Sequence, residues 1–149
     1  MSVEKIMTTS LVTVGLDDTM EALNELFSRH KFHHLLVLYK GKLAGVVSDR
    51  DVLKAISPNL GTAAETSRDL ATLRKRVHQI MQRKLVTLTR DASIYDAVAL
   101  FNRERVSCIP VVDNDMHPVG IISWRDIMQA LEDQRAKKLK QSSNSPTNS

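Results

Sequence analysis

Two kinds of hydrophobic spacing alternate along the chain, and the alternation occurs twice. Residues 11–14, 34–39 and 43–47 are short apolar runs of strand type, with Gly41 in a turn between the last two. Between the first and second runs, Met20, Leu23, Leu26, Phe27 and His30 recur at three- and four-residue steps, the spacing of one helix face. Asp18, with Glu21 three positions on, predicts the N-cap of that helix, which spans about 19–31. A second helix is expected over 49–56. The order then returns: strand 85–88, helix 92–104 with Ile94, Ala97, Val98 and Phe101 aligned, strands 109–113 and 118–122, helix 124–136. The fold class is α/β in the broad α+β sense, with two β-α-β-β-α units.

The repetition extends to the residues themselves. "IMTTSLVTV" at 6–14 matches "IMQRKLVTL" at 80–88 with a shift of 74. "GVVSDRDVLKAI" at 45–56 matches "GIISWRDIMQAL" at 120–131 with a shift of 75, and the extra residue falls in a hairpin loop. Runs such as "LLVL" and "IPVV" are continuous rather than alternating, so both faces of each sheet are expected to be covered. A sixty-residue unit buries too little surface to stand comfortably alone. Two copies related by a pseudo-twofold axis can cover each other. The expected organisation is repeat one at 1–60, a connector at 61–78 that turns helical near Thr66 or Ser67, repeat two at 79–136, and a disordered polar tail at 137–149. In the connector, Leu70, Leu73, Val77 and Ile80 are predicted to share one face.

Composition narrows the class. No apolar run is long enough to span a bilayer, the first residues lack the apolar core of a secretory signal, and the one cysteine, Cys108, excludes a disulfide framework. A cytoplasmic protein is expected, without membrane attachment. The net charge of +4 does not fall on a folded element: residues 1–60 carry seven basic and seven acidic side chains, and the excess sits in the connector and the tail. A nucleic-acid surface would place it within a folded element, so no nucleic-acid partner is expected.

The chemistry concentrates where each unit's last strand meets its last helix. Ser48 and Ser123 end a strand, and a helix begins at once. Free N–H groups at a helix start suit an anion such as phosphate. A serine hydroxyl adds a donor, and Arg50 or Arg125 adds a guanidinium that forks onto phosphate oxygens. Asp51 or Asp126 would repel phosphate, but a carboxylate takes both hydroxyls of a ribose diol. The same Ser-x-x-Asp spacing also reads as a capping box, each side chain bonding the other's backbone N–H. Capping does not require the arginine, nor explain the recurrence of the whole turn.

In tandem, the pattern Gly-aliphatic-aliphatic-Ser-x-Arg-Asp after a β-α-β-β order resembles the cystathionine-β-synthase (CBS) domain, whose paired form is the Bateman module. The resemblance covers about 1–56 and 80–135. It implies a pseudo-symmetric disc with two clefts that bind adenosine-containing ligands: AMP, ADP, ATP or S-adenosylmethionine. It assigns Ser48 and Ser123 to phosphate or ribose, Asp51 and Asp126 to ribose, and Val12, Thr13, Val86 and Thr87 to the base. His34 and Leu36, with Cys108 and Pro110, form the other cleft walls. Position 49 is Asp where position 124 is Trp, so the clefts are not equivalent.

Other constellations carry less. His33 and His34 are adjacent in a strand start and point to opposite faces, and no carboxylate completes a set with His30, so no metal is expected. Cys108 has no neighbouring base and reads as a core residue. Trp124 reads as an interface or packing group ahead of an adenine platform. No acid–base pair, phosphate loop or triad appears, so no enzyme is expected. The reading is a regulatory nucleotide-binding module, a homodimer through its repeat helices, acting on an unidentified protein target. A ligand-free scaffold and a nucleic-acid binder are the alternatives.

Overall fold

The computed structural model describes residues 1–144. In the first unit β1 (Thr13–Gly15), α1 (Met20–Arg29), β2 (His34–Tyr39), β3 (Lys42–Ser48) and α2 (Asp49–Ala55) follow in the predicted order. The sheet runs β1-β2-β3, with β1 parallel to β2 and β2 antiparallel to β3. Lys40 and Gly41, at φ 51° and 79°, make the two-residue hairpin turn, whose twist requires positive φ at both positions. The connector holds α3 (Ser67–Ala71) and α4 (Val77–Ile80). The second unit has α5 (Ile94–Glu104), β4 (Cys108–Val112), β5 (Pro118–Ser123) and α6 (Trp124–Asn144). Among the described residues no helix is long and apolar enough to cross a membrane.

Four expectations are corrected. The strand at 85–88 is reduced to a single bridge, Leu88 to Val111. Leu88 donates to the Pro110 carbonyl at 3.1 Å and accepts from Val112 at 2.8 Å, and the next rung back would need an N–H that Pro110 lacks. The cap of α1 is Thr19, whose hydroxyl accepts from Ala22, because Asp18 is drawn back onto the Gly15 N–H at 2.7 Å. The connector helix is broken at Lys75 and Arg76, where the backbone bonds across to the first unit: Met20 N–H to the Lys75 carbonyl at 2.9 Å, Val77 N–H to Asp18 at 2.8 Å. Leu70 is therefore exposed while Val77 is buried. Finally, residues 137–144 are helical rather than disordered, since "KKLKQ" extends α6 with good helix formers. The rest of that tail, 145–149, lies outside the described residues.

The two cores are crossed. Val14, Met20, Leu23, Leu35, Val37, Val47 and Val52 of the first unit enclose Val77 from the connector and Met81 from the opening of the second unit. The second core, built on Ile94, Phe101, Ile109, Ile122 and Ile127, encloses Val3, with Ile6 and Met7 packed against it. Each opening segment thus docks on the opposite half: Thr8 pairs with Ile121 in β5, and Gln82 with Val46 in β3. A third cluster, Leu36, Leu43 and Val112, joins the halves. The crossing sets the site, because each opening segment then runs on from the far half into its own sheet.

Candidate functional site

Two clefts follow from the crossing, each walled by one unit's opening segment and the other unit's strand-to-helix turn. The first encloses about 460 Å³. Thr8, Ser10, Leu11 and Val12 form one wall, and Ser123, Trp124, Arg125 and Asp126 the other. Lys31, Phe32, His33 and His34 close it from the α1–β2 link, with Leu36 and Ile121 lining it too. The second encloses about 410 Å³, with Gln82, Lys84 and Val86 facing Val46, Ser48 and Asp51, and Glu104, Arg105 and Val106 closing it. His34, Ser107 and Cys108 line both, as the wall between them.

Of the residues predicted from sequence, Val12, His34, Leu36, Cys108, Ser123, Arg125 and Asp126 come together in the first cleft, and Ser48, Asp51, Val86, His34 and Cys108 in the second. Arg50, Thr13, Thr87 and Pro110 line neither. Arg50 is exposed on α2. Thr13 and Thr87 follow Val12 and Val86 in extended chain, so they turn to the opposite side. Pro110 is buried two residues farther along β4. Lys31, Ser10, Thr8, Lys84, Gln82 and Arg105 were not foreseen. The shift of 74 pairs them as Lys31 with Arg105, Ser10 with Lys84 and Thr8 with Gln82, which is the signal that would have found them.

Both turns are capping boxes. Asp51 Oδ2 accepts from the Ser48 N–H at 2.9 Å and Ser48 Oγ from the Asp51 N–H at 3.1 Å. Asp126 Oδ2 accepts from the Ser123 N–H at 2.8 Å, and Ser123 Oγ from the Asp126 N–H at 3.4 Å. These bonds use one oxygen of each carboxylate. Asp51 Oδ1 accepts from Gln82 Nε2 at 3.4 Å, a weak bond. The cap therefore fixes each carboxylate at the cleft wall without consuming it.

The shared wall is held by a bond between His34 Nε2 and Ser107 Oγ at 2.8 Å, which joins the two units. Burial pushes the His34 imidazole below its ordinary value of 6.5, although Asp49 and Asp51 pull the other way. The native state thus favours the neutral ring, and the unfolded chain takes up a proton near 6.5. This contribution to stability is complete above that value and is lost as pH falls below it. Unfolding free energy from urea titration is expected to decline between about pH 7.5 and about pH 5.5, and His34→Gln is expected to flatten that decline. An unchanged slope in the variant counts against the assignment. Burial also pushes the Cys108 thiol up to about 12, so it is an inert wall residue.

The other histidines separate. His30 stacks on Phe32 at 5.1 Å between centroids, and His33 Nδ1 meets Asp49 Oδ2 at 2.9 Å. Burial raises the Asp49 carboxyl, but the bonds from His33 and from the Arg50 N–H outweigh it and hold the group below the ordinary carboxylate range. Among the described residues the cluster with metal-ligand chemistry is Asp113, Asp115 and His117 in the β4–β5 hairpin, with ligand atoms within 4.8 Å of one another. Asp113 Oδ1 already accepts from the Asp115 and His117 N–H groups at 2.9 Å each, which accounts for it as a turn. Trp124 packs on Phe101, centroids 5.0 Å apart, and lines the first cleft.

The sequence profile of the CBS domain matches residues 3–58 and 77–133, most of the chain in two copies. The chain belongs to the CBS-domain family. The CBS domain-containing protein YhcV of Bacillus subtilis is 30% identical over 126 residues, which cover 85% of this chain and 82% of that protein. Among solved structures, the CBS domain pair of protein MJ0100 in complex with 5′-methylthioadenosine and S-adenosyl-L-methionine superposes with a TM-score of 0.74 at 23% identity, covering 90% of this chain and 98% of that one. CBSX2 in complex with AMP gives 0.74 at 24%, again over 90% and 98%. The α+β architecture is that of a CBS pair, and the crossed opening segments are how this CBS pair assembles its clefts.

Proposed function

We propose that this CBS pair is a non-catalytic regulatory module that binds an adenosine-containing ligand of the AMP, ADP, ATP or S-adenosylmethionine class and passes its occupancy to a protein partner. One observation carries the reading: each cleft draws one wall from each half, so a bound ligand bridges both and favours one arrangement of them. Asp126 beside Ser123, and Asp51 beside Ser48, stand where a ribose diol would be held. The adenosine ligands of the two similar structures support the ligand class. Homodimerisation belongs to the same reading, since Leu53 on α2, Tyr95 on α5, and Met128 and Leu131 on α6 are exposed.

Calorimetric titration with AMP, ADP, ATP and S-adenosylmethionine tests it. At least one is expected to bind, and Asp126→Ala or Asp51→Ala to weaken binding by about 1–3 kcal/mol. Each variant also loses a cap and about 1 kcal/mol of stability. Asp126→Asn keeps one acceptor oxygen for the cap but replaces the second with an amide nitrogen, and so separates the two effects. Light scattering is expected to give twice the 16.7 kDa chain mass. The capping boxes favour a second reading, a ligand-free scaffold. Absence of heat with all four compounds would establish it over the first.

A further inference from the structure

The two clefts are alike in build and unlike in charge, and we propose that this divides their ligands: the first takes a phosphorylated adenosine compound, the second an adenosine compound without phosphate. The proposal rests on the adenosine reading above and adds which cleft accepts which charge.

The difference lies at matched positions of the repeat. Lys31 and Arg105 are equivalents, so each cleft begins with one cation. In the first, Arg125 adds another, and neither Lys31 nor Arg125 meets a carboxylate among the described residues. Asp126 is the one carboxylate lining that cleft, which leaves it with an excess of one positive charge, and the N-terminus of the 21-residue α6 lies at the same wall. In the second cleft Lys84 replaces Ser10 and Glu104 replaces His30. Lys84 Nζ and Glu104 Oε2 stand 2.9 Å apart, so the added cation is paired, with Arg103 Nε, outside the cleft lining, 3.4 Å from the other Glu104 oxygen. The Lys84 ammonium holds the Glu104 carboxyl below its ordinary range, which keeps that opposing charge in place. Asp51 offsets Arg105, and the cleft is neutral. Arg50, the equivalent of Arg125, lies outside it, while Asp49, the equivalent of Trp124, lines neither cleft and spends its carboxylate on His33 at the edge of the first.

A phosphate of charge about −2 therefore gains from the first wall and meets no net attraction in the second. The apolar linings differ as well: Phe32 and Trp124 offer aromatic faces in the first cleft, where Val46, Val86, Val106 and Cys108 line the second.

Trp124, the single tryptophan, lines the first cleft alone and reports its occupancy. AMP and adenosine are titrated into the full chain at low and high salt, followed by calorimetry and by Trp124 fluorescence. AMP is expected to bind one equivalent per chain, to change the fluorescence, and to weaken by about tenfold at high salt. Adenosine is expected still to bind once AMP has saturated. Glu104→Gln frees Lys84 and is expected to admit a second equivalent of AMP. Lys31→Gln with Arg125→Gln, both exposed in the fold, is expected to lower the preference for AMP over adenosine by about tenfold. If AMP fills both clefts with equal affinity, or adenosine perturbs Trp124 more than AMP does, the division is overturned and the adenosine reading survives. If neither compound binds, the division falls, and the adenosine reading falls with it only if ADP, ATP and S-adenosylmethionine also fail to bind.

Discussion

Replacing Gly45 with alanine is expected to lower stability by about 2–3 kcal/mol, while Gly120→Ala costs less than about 1 kcal/mol. The two glycines are equivalents, and each has a methionine of the opposite opening segment lying over it. A methyl group on Gly45 would sit 2.7 Å from Met81 Sδ and 2.9 Å from the Gln82 carbonyl oxygen. That carbonyl cannot retreat freely: it accepts from the Val46 N–H at 3.2 Å, and the Gln82 N–H donates back to Val46 at 2.8 Å. At Gly120 the three nearest atoms all belong to the Met7 side chain, with Cγ at 2.8 Å. A thioether with three rotatable bonds can swing aside. Alanine also gains about 0.5–1 kcal/mol over glycine within a strand, which offsets part of the crowding at Gly120. Urea unfolding of both variants measures the difference. Met7→Ala is expected to abolish the cost of Gly120→Ala, and Met81→Ala to relieve Gly45→Ala only in part, because the Gln82 carbonyl remains. Equal costs, or complete relief at both positions, would show that backbone crowding does not set the effect.

Those contacts also mark what could be read from the chain. Order and type of elements were legible because periodicity is local: Ile94, Ala97 and Phe101 share a face whatever the rest of the protein does. The crossing was not legible, since pairing between Thr8 and Ile121 leaves no local signature. A trace of it was present, however, in Ile-Met and Gly recurring at the same places in both copies. Boundaries failed where a tertiary bond competed with a local one. Asp18 gave up the α1 cap to hold Gly15, and Lys75 left the helical ladder to meet Met20. Pro110 stopped a ladder that the apolar run at 85–88 alone would continue. At the site, Ser48, Asp51, Ser123 and Asp126 stood out because the turn recurs intact. Lys31, Lys84, Arg105 and Glu104 did not, because their places are filled by different residue types in the two copies. The charge asymmetry is visible only once the repeat shift is applied beyond the matching stretches.

A fragment cut at the apparent repeat boundary, residues 1–60, is expected to remain unfolded, whereas residues 10–83 are expected to unfold cooperatively. The first fragment lacks Val77 and Met81, which are 0% and 8% exposed inside its own core. Burying such side chains contributes about 1.5–3 kcal/mol each, and a domain of this size has only a few kcal/mol in total. The same fragment keeps Val3, Ile6 and Met7, whose packing partners lie in the other half. Residues 10–83 contain the complete first core, the three-stranded sheet and the bridge between Val46 and Gln82. They also expose Leu36 and Leu43, which face Val112 in the whole chain, so their midpoint is expected below that of the intact protein. Circular dichroism during urea titration distinguishes the fragments. Similar cooperative transitions for both would mean that the crossed segments add nothing to folding. Neither fragment retains a complete cleft, because Asp126 is missing from one side of Val12 and Arg105 from one side of Asp51. The comparison therefore tests the crossing itself, whatever ligand the intact clefts bind.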